Sequence, residues 1–528
     1  MKAGQFVGRL IASIMVTLPV SAAQSADKSD YGEFQFVEAS IDDAHSALRR
    51  GELSCAELIA GYLQRIEKYN QPSGLNAVIF TNPAAMKKAM SIDARLKAGD
   101  TPGPLYCVPV LLKDNFDTQD MPTSGGSLAL KSSLPPDDAF MVRKLREADA
   151  IVIAKTNMAE WAFSPKQTIS SSYGTTANAY ALDRVPAGSS GGTASATAAS
   201  FGIVGMGTDT GNSIRGPSSH LALFGIRSTL GLTSRDGVIP LAFDRDIAGP
   251  MTRSVRDAAI VFNVIAGYDP ADPFTELGKG RLEEDYTALL DKQALRGRRI
   301  GVLRSLVDTD DADAEVIAVF EQALRDLTAQ GAVLVDPFTI PRLAEHLTGD
   351  YFCARFRYDM QVYLASLGEK APIKDVMEAR ERGKYSPYIE GRLDYFGTYP
   401  PDVAPIALDP PCPDFPEHPG RRAYLDDVVA AMDEARVDAI VYPSWTNPPA
   451  HLANAIKEYL GDNSQLVAPA TGMPAVTVPM GYSHNRLPAG LQILGRPYAD
   501  GLLFALAYAY EQATLHRRPP EGFPELDR

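Results

Sequence analysis

Two clusters of small and hydroxyl-bearing residues stand out for chemistry. The first is Ala187-Gly188-Ser189-Ser190-Gly191-Gly192; the second is Gly207-Thr208-Asp209-Thr210-Gly211-Asn212-Ser213-Ile214-Arg215. Gly-rich backbone beside a serine lets successive N–H groups point at one spot, which a developing oxyanion needs and bulkier residues obstruct. The turn Thr210-Gly211-Asn212-Ser213 therefore reads as an oxyanion hole. Between the clusters, Thr193 to Ser200 has side chains small enough for a closely packed helix, and Ile203 to Gly207 reads as a short buried strand. That loop, helix, strand, loop path can return Ser213 to the neighbourhood of Ser189.

A serine hydroxyl is a weak nucleophile until a base takes its proton. His220 follows Ser213 closely, whereas His451, His484 and His516 are distant and none sits in a motif that marks it as a partner. Lysine serves instead where burial lowers its pKa. Lys113 ends the apolar run Val108-Pro109-Val110-Leu111-Leu112, and Lys155 ends Ile151-Val152-Ile153-Ala154. Periodicity leaves the two equal. Bringing either from about 10.4 to about 7.5 requires roughly 4 kcal/mol of differential stabilisation, feasible in a dry site.

These residues need a scaffold. In 528 residues, 45% are hydrophobic and 22% charged, a globular balance. Ser40-Ile41-Asp42-Asp43 and Ser54-Cys55-Ala56-Glu57 resemble N-caps that open two amphipathic helices. Helix 137–148 precedes strand 151–154, strand 299–303 follows, and helices over 313–328 and 425–435 lead into strands 332–335 and 439–442. The alternation predicts an α/β fold, a single large domain over residues 40–528 whose mixed, largely parallel sheet is covered by helices on both faces. Residues 341–422 are rich in Pro and Tyr and lack clean periodicity, as an insertion that shapes substrate access would be.

The formal charge of −14, from 65 acids against 51 bases, lacks the basic surface nucleic acid requires. Lys2 and Arg9 precede an apolar run from Leu10 to Val20, and Ser21-Ala22-Ala23 supplies small residues, so residues 1–23 read as a removable secretory signal and 24–39 as a polar lead-in. The run covers about 16 Å, too short for a permanent span. The product is expected to be periplasmic or secreted, with no stable membrane span. Cys55, Cys107, Cys353 and Cys412 show no zinc spacing; an oxidising compartment permits a bridge, and Cys353 with Cys412 is the favoured pair because both lie in the loop-rich region.

The two clusters, extended through Phe224-Gly225-Ile226-Arg227-Ser228-Thr229, Ala248-Gly249-Pro250-Met251-Thr252-Arg253-Ser254-Val255 and Val108 to Asp114, closely resemble the amidase signature family. The signature covers about residues 105–260. Lys155-Thr156-Asn157-Met158-Ala159-Glu160-Trp161 and Gly237-Val238-Ile239-Pro240 are similar to the secreted bacterial peptide amidases. The resemblance implies the amidase signature fold and a Ser-Ser-Lys triad in which Ser213 is the nucleophile, Ser189 the bridging hydroxyl before a cis peptide, and Lys113 the base. It implies that the N–H groups of Thr210, Gly211, Asn212 and Ser213 hold the oxyanion, that an amide is hydrolysed to an acid and ammonia or an amine, and that no metal or organic cofactor is required. Asn212 stands where the family usually has glycine, Gly216-Pro217-Ser218 replaces a bulkier helix entry, and Arg227-Ser228 replace Lys-Pro, away from the proposed chemistry. Trp161, Phe163, Trp445 and the insertion are candidate pocket walls. Substrate identity, ester cleavage and the choice between monomer and homodimer stay open.

Two other functions compete. Gly188-Ser189-Ser190-Gly191-Gly192 satisfies G-x-S-x-G, which would make Ser190 with a late histidine an α/β-hydrolase esterase, although no strand precedes it. A catalytically inactive exported binding protein is the second.

Overall fold

Serine caps open the body as their spacing predicts. In the computed structural model, which describes Met1 and residues 34–526, Ser40 Oγ accepts the Asp43 N–H while the Asp43 carboxylate accepts the Ser40 N–H, starting α1 (Ile41–Arg50). Ser54 and Glu57 repeat the box at α2 (Cys55–Tyr69). Leu58, Ile59, Tyr62 and Ile66, at helical spacing, are buried. Phe36, within the expected polar lead-in, is also buried, its ring 5.3 Å from that of Tyr62. The expected signal and the lead-in through residue 33 lie outside the described residues, Met1 apart.

The strands are β1 (Val78–Thr81), β2 (Pro109–Lys113), β3 (Ile151–Thr156), a small ribbon of β4 (Ile169–Ser170) and β5 (Gly174–Thr175), then β6 (Val204–Asp209), β7 (Phe224–Arg227), β8 (Ile247–Thr252), β9 (Arg299–Val302), β10 (Val333–Val335), β11 (Ala439–Pro443), β12 (Ala475–Ser483) and β13 (Leu487–Leu494). Apart from the ribbon they form one eleven-stranded sheet in the order β1-β3-β2-β6-β8-β7-β12-β13-β11-β9-β10. The sheet is mixed: β3, β2 and β6 form one parallel block, β11, β9 and β10 another, and antiparallel strands join them. Every residue of β2, β3, β6, β7 and β8 is buried, so these strands read as continuous apolar or small runs instead of alternating. Leu112 pairs with Met206, which sets Lys113 beside the end of β6 that carries Thr208 and Asp209. The carboxyl edge of a parallel block is where an open α/β sheet leaves a crevice for a ligand.

Helices α3 (Ala85–Lys97), α4 (Phe140–Glu147), α5 (Gly191–Ala198), α6 (Arg215–His220), α7 (Val255–Ile265) and α8 (Ala314–Ala329) pack on this sheet. The α4 helix starts later than the expected residue 137 because the Asp138 carboxylate is spent on the Gln119 N–H at 2.9 Å, outside the helix. Asp313 caps α8 as its position suggests.

The insertion folds into short helices, α9 (Leu343–Thr348), α10 (Phe356–Ser366), α11 (Met377–Glu381) and α12 (Glu390–Gly397), before α13 (Pro419–Ala435) returns to the sheet. The α13 helix begins earlier than the expected Leu425, with Pro419 in its first turn and His418 Nδ1 accepting the Arg421 N–H. Phe356, Met360, Leu364, Leu393 and Phe396 form a satellite core with Trp161 and Phe163. Tyr363 donates to Asp117 (2.8 Å), and the Ser386 N–H donates to Glu160 (2.8 Å), keying the insertion to the core. Cys353 is bonded to Cys412, the pair favoured from sequence; Cys55 is bonded to Cys107, a bridge that spacing did not reveal.

Candidate active site

Lys113, the last residue of β2, is fully buried. Its Nζ lies 2.8 Å from Ser189 Oγ and 2.7 Å from Thr208 Oγ1, and Asn115 Nδ2 donates to the same threonine at 3.1 Å. Burial drives the amine down to about 7, while Asp246 and Asp209 pull it partly back. Lys155, its equal in sequence, is held differently: it donates to the Phe116 carbonyl at 2.7 Å and to Thr123 at 3.0 Å, with the Asp114 carboxylate 3.7 Å away. Acceptors and a carboxylate suit an ammonium. Two hydroxyls, each able to give a proton, suit a base.

Ser189 enters this contact because the loop before α5 can run hard against the core. A Cβ on Gly192 would fall 2.2 Å from the Asn157 carbonyl oxygen, so only glycine lets α5 dock there. The cis peptide joins Gly188 to Ser189; Ser189 thus follows the cis bond, whereas the resemblance implies that it precedes one.

Ser213 lies across the loop that leaves β6. Asp209, at the end of that strand, accepts the N–H groups of Ile214 (3.2 Å) and Arg215 (3.4 Å), both side-chain contacts of Arg215 (3.1 and 3.2 Å), and Arg227 Nη1 at 3.1 Å. The two guanidiniums overcome desolvation and hold its carboxyl down at about 2. Arg227 also donates to the Asp209 and Arg245 carbonyls. Placing Arg227 away from the chemistry is therefore corrected: it anchors the loop that carries the nucleophile candidate. Thr210 Oγ1 donates to Asp246. Among the described residues no protein acceptor takes the N–H groups of Thr210, Gly211, Asn212 or Ser213, so all four stay available to an oxyanion.

The Ser213 hydroxyl is turned to Asn212 Oδ1, 3.4 Å away, and not to Ser189. Asn212 Nδ2 donates to Asp462 Oδ2 at 2.9 Å, which also accepts Tyr459 OH at 2.8 Å. Burial pushes the Asp462 carboxyl up to about 7.

A cleft of about 340 Å³ opens onto Thr210, Gly211, Asn212 and Ser213. Phe163, Leu241 and Arg245 of the core and Phe352, Tyr395 and Phe396 of the insertion wall it, with the Phe163 and Phe396 rings stacked at 5.6 Å. Neither tryptophan lines it. Trp161 is buried in the satellite core against Phe163 and Phe356, and Trp445 is buried between His220 and Tyr459 behind the loop. A larger cavity of about 590 Å³, between Tyr180, Tyr482 and Arg518, contains none of these residues. The esterase alternative loses its parts: Ser190 Oγ is spent on the Thr208 carbonyl at 3.1 Å, while His451, His484 and His516 pair with Glu458, Asp313 and Asp326.

A family model described as Amidase matches residues 57–504. The chain belongs to the amidase signature family. This amidase is 34% identical to a glutamyl-tRNA(Gln) amidotransferase polypeptide of Acinetobacter baumannii over 489 residues, covering 90% of this chain and 96% of that one. The native peptide amidase of Stenotrophomonas maltophilia superposes with a TM-score of 0.79 at 35% identity, over 92% of this amidase and 99% of that chain. An amidase family protein from Bacillus anthracis str. Ames gives 0.81 at 30%, over 92% and 93%. Thr208 and Asp209 of this amidase did not emerge as site residues from sequence; the signal was their place on a strand paired with the one that ends in Lys113.

Proposed function

We propose that this amidase is a free-standing serine amidohydrolase, cleaving a carboxylic amide to an acid and ammonia or an amine through an acyl-Ser213 intermediate. The observation that carries the reading is a buried Lys113 amine facing the hydroxyls of Ser189 and Thr208 behind the Ser213 loop. Once the Ser213 hydroxyl turns from Asn212 to Ser189, neutral Lys113 accepts the Ser189 proton as Ser189 takes that of Ser213. The Ser213 Oγ electron pair forms the bond to the carbonyl carbon, and the π pair moves onto oxygen, facing the N–H groups of residues 210–213. Collapse breaks the C–N bond, and the proton returns from Lys113 through Ser189 to the departing nitrogen. Water then repeats the sequence on the acyl-serine and releases the acid.

The aromatic wall of Phe163, Phe352 and Phe396 favours an amide with an apolar or aromatic acyl part, and the likeness to a peptide amidase supports peptide C-terminal amides among the substrates. Export is part of the proposal: the amino-terminal pattern fits a signal, and two disulfides suit an oxidising compartment. An exported chain would be separated from the tRNA-dependent assembly that the name of its amidotransferase relatives implies.

The experiment is hydrolysis of a panel of primary and N-substituted amides, with acid and amine both quantified, by the wild type, Ser213→Ala and Lys113→Ala. Loss of turnover in both variants is expected; full activity of Ser213→Ala overturns the reading. Sequencing the N-terminus of protein recovered from the periplasm or medium tests export, and an intact Met1 in the cytosolic fraction alone refutes it.

A further inference from the structure

Two departures from the family's loop pattern, Asn212 and Gly216, are one packing feature. A Cβ on Gly216 would lie 2.8 Å from Asn212 Nδ2, so a side chain there would expel the carboxamide. With that space free, Asn212 is buried, its exposure only 1%, and it reaches Asp462 Oδ2 at 2.9 Å. Asp462 is held in turn: Tyr459 OH donates to the same oxygen at 2.8 Å, and Gln465 Nε2 donates to that tyrosine oxygen at 2.9 Å.

An acceptor at Asp462 fixes which end of the amide points where: Nδ2 faces the carboxyl group and Oδ1 faces Ser213. That oxygen is 3.4 Å from Ser213 Oγ. When the hydroxyl swings to Ser189 for deprotonation, Oδ1 is left as a preoriented acceptor beside the atom that attacks the carbonyl carbon. The group bonded to that same carbon in an amide is a nitrogen that carries a hydrogen; in an ester it is an oxygen without one. A site built around a polar partner rejects the analogue that lacks it.

We propose that Asn212 Oδ1, held in place by Asp462, accepts an N–H of the scissile amide, so that this loop reads the leaving group and favours primary and N-monosubstituted amides over esters and N,N-disubstituted amides. The inference rests on Ser213 being the nucleophile. In it Asn212 touches the reacting group, and Asp462 is a positioning residue.

The test compares kcat/KM for the primary amide, N,N-dimethylamide and methyl ester of one aromatic acid in the wild type, Asn212→Gly and Asn212→Leu. This parameter reports the steps through acylation, so the shared deacylation does not intrude. Glycine restores the family's usual residue; leucine keeps the bulk without the acceptor. The primary amide is expected to fall about tenfold relative to the ester and the dimethylamide in both variants, the size of one hydrogen bond strengthened in the transition state. Ester hydrolysis is expected to stay within about threefold, which also reports an intact fold. An unchanged amide-to-ester ratio in both variants, or a proportional loss of all three substrates, overturns the proposal. Full activity in Ser213→Ala would instead remove the reading beneath it.

Discussion

A base kept neutral by burial weakens the fold that holds it, and Lys113 makes this measurable. Its amine titrates at about 7 instead of the ordinary 10.5. The unfolded chain therefore keeps the proton up to pH 10.5, while the folded chain gives it up above pH 7. The penalty to folding is complete below pH 7 and disappears as pH climbs toward 10.5; near neutrality it is roughly 4 kcal/mol. Replacing Lys113 by Met removes it and leaves the hydroxyls of Ser189 and Thr208 short of a partner, at about 1 kcal/mol each. The net gain is about 2 kcal/mol near pH 7. With an unfolding entropy of about 2.1 cal/mol/K per residue, a chain of this size gains about 2 °C in Tm. Calorimetry at pH 6, 7.5 and 9 should show an inactive variant whose advantage shrinks as pH rises, while wild-type kcat/KM falls about tenfold per pH unit below 7. A variant less stable than wild type at pH 6, or an advantage that grows with pH, would refute a neutral buried base.

Three further outcomes follow from the anchors of the site. Replacing Cys353 and Cys412 together by Ala opens a loop with a sequence separation of 59 residues; by loop entropy this costs about 4 kcal/mol, read by denaturant unfolding, with KM rising because Phe352 walls the cleft. Arg227→Met takes one of two guanidiniums from Asp209, so the oxyanion loop loosens and kcat should fall about 10- to 100-fold for amide and ester alike, with KM little changed in steady-state assays. Gly216→Ala alone should lower kcat/KM by driving out the Asn212 carboxamide, but should have a smaller effect in an Asn212→Gly background; a double-mutant cycle that proves additive would show that the two positions do not share space.

Local signals were legible where neighbouring residues alone decide them. The boxes at Ser40 and Ser54 need only residues three apart, and both helices begin there. The insertion was opaque because its helices are short and their apolar faces answer to a satellite core shared with Trp161 and Phe163, residues far away in sequence. Trp161 and Trp445 illustrate the same limit from the other side: a large aromatic near a site is as able to brace the wall as to form it, and here both brace. The bridge between Cys55 and Cys107 depends on which loop lies over the start of α2, which spacing does not encode.

Two lysines with the same local sequence character end in opposite chemical roles. Lys113 and Lys155 each end an apolar strand, and β2 and β3 are neighbours in parallel register, with Leu112 paired to Lys155 itself. Both amines are fully buried. Burial alone therefore cannot make one a base, since it lowers both. What separates them is the partner across the strand edge. For Lys155 it is a carbonyl and a nearby carboxylate, which solvate a charge; for Lys113 it is Thr208 on β6 and Ser189 from the glycine-rich turn, which accept or yield a proton without fixing one. That difference is a property of strand order, because only β2 lies between β3 and β6. Chemistry at Lys113 is thus set by its being one strand closer to the serine loops, a distinction that a sequence of apolar residues ending in lysine does not carry.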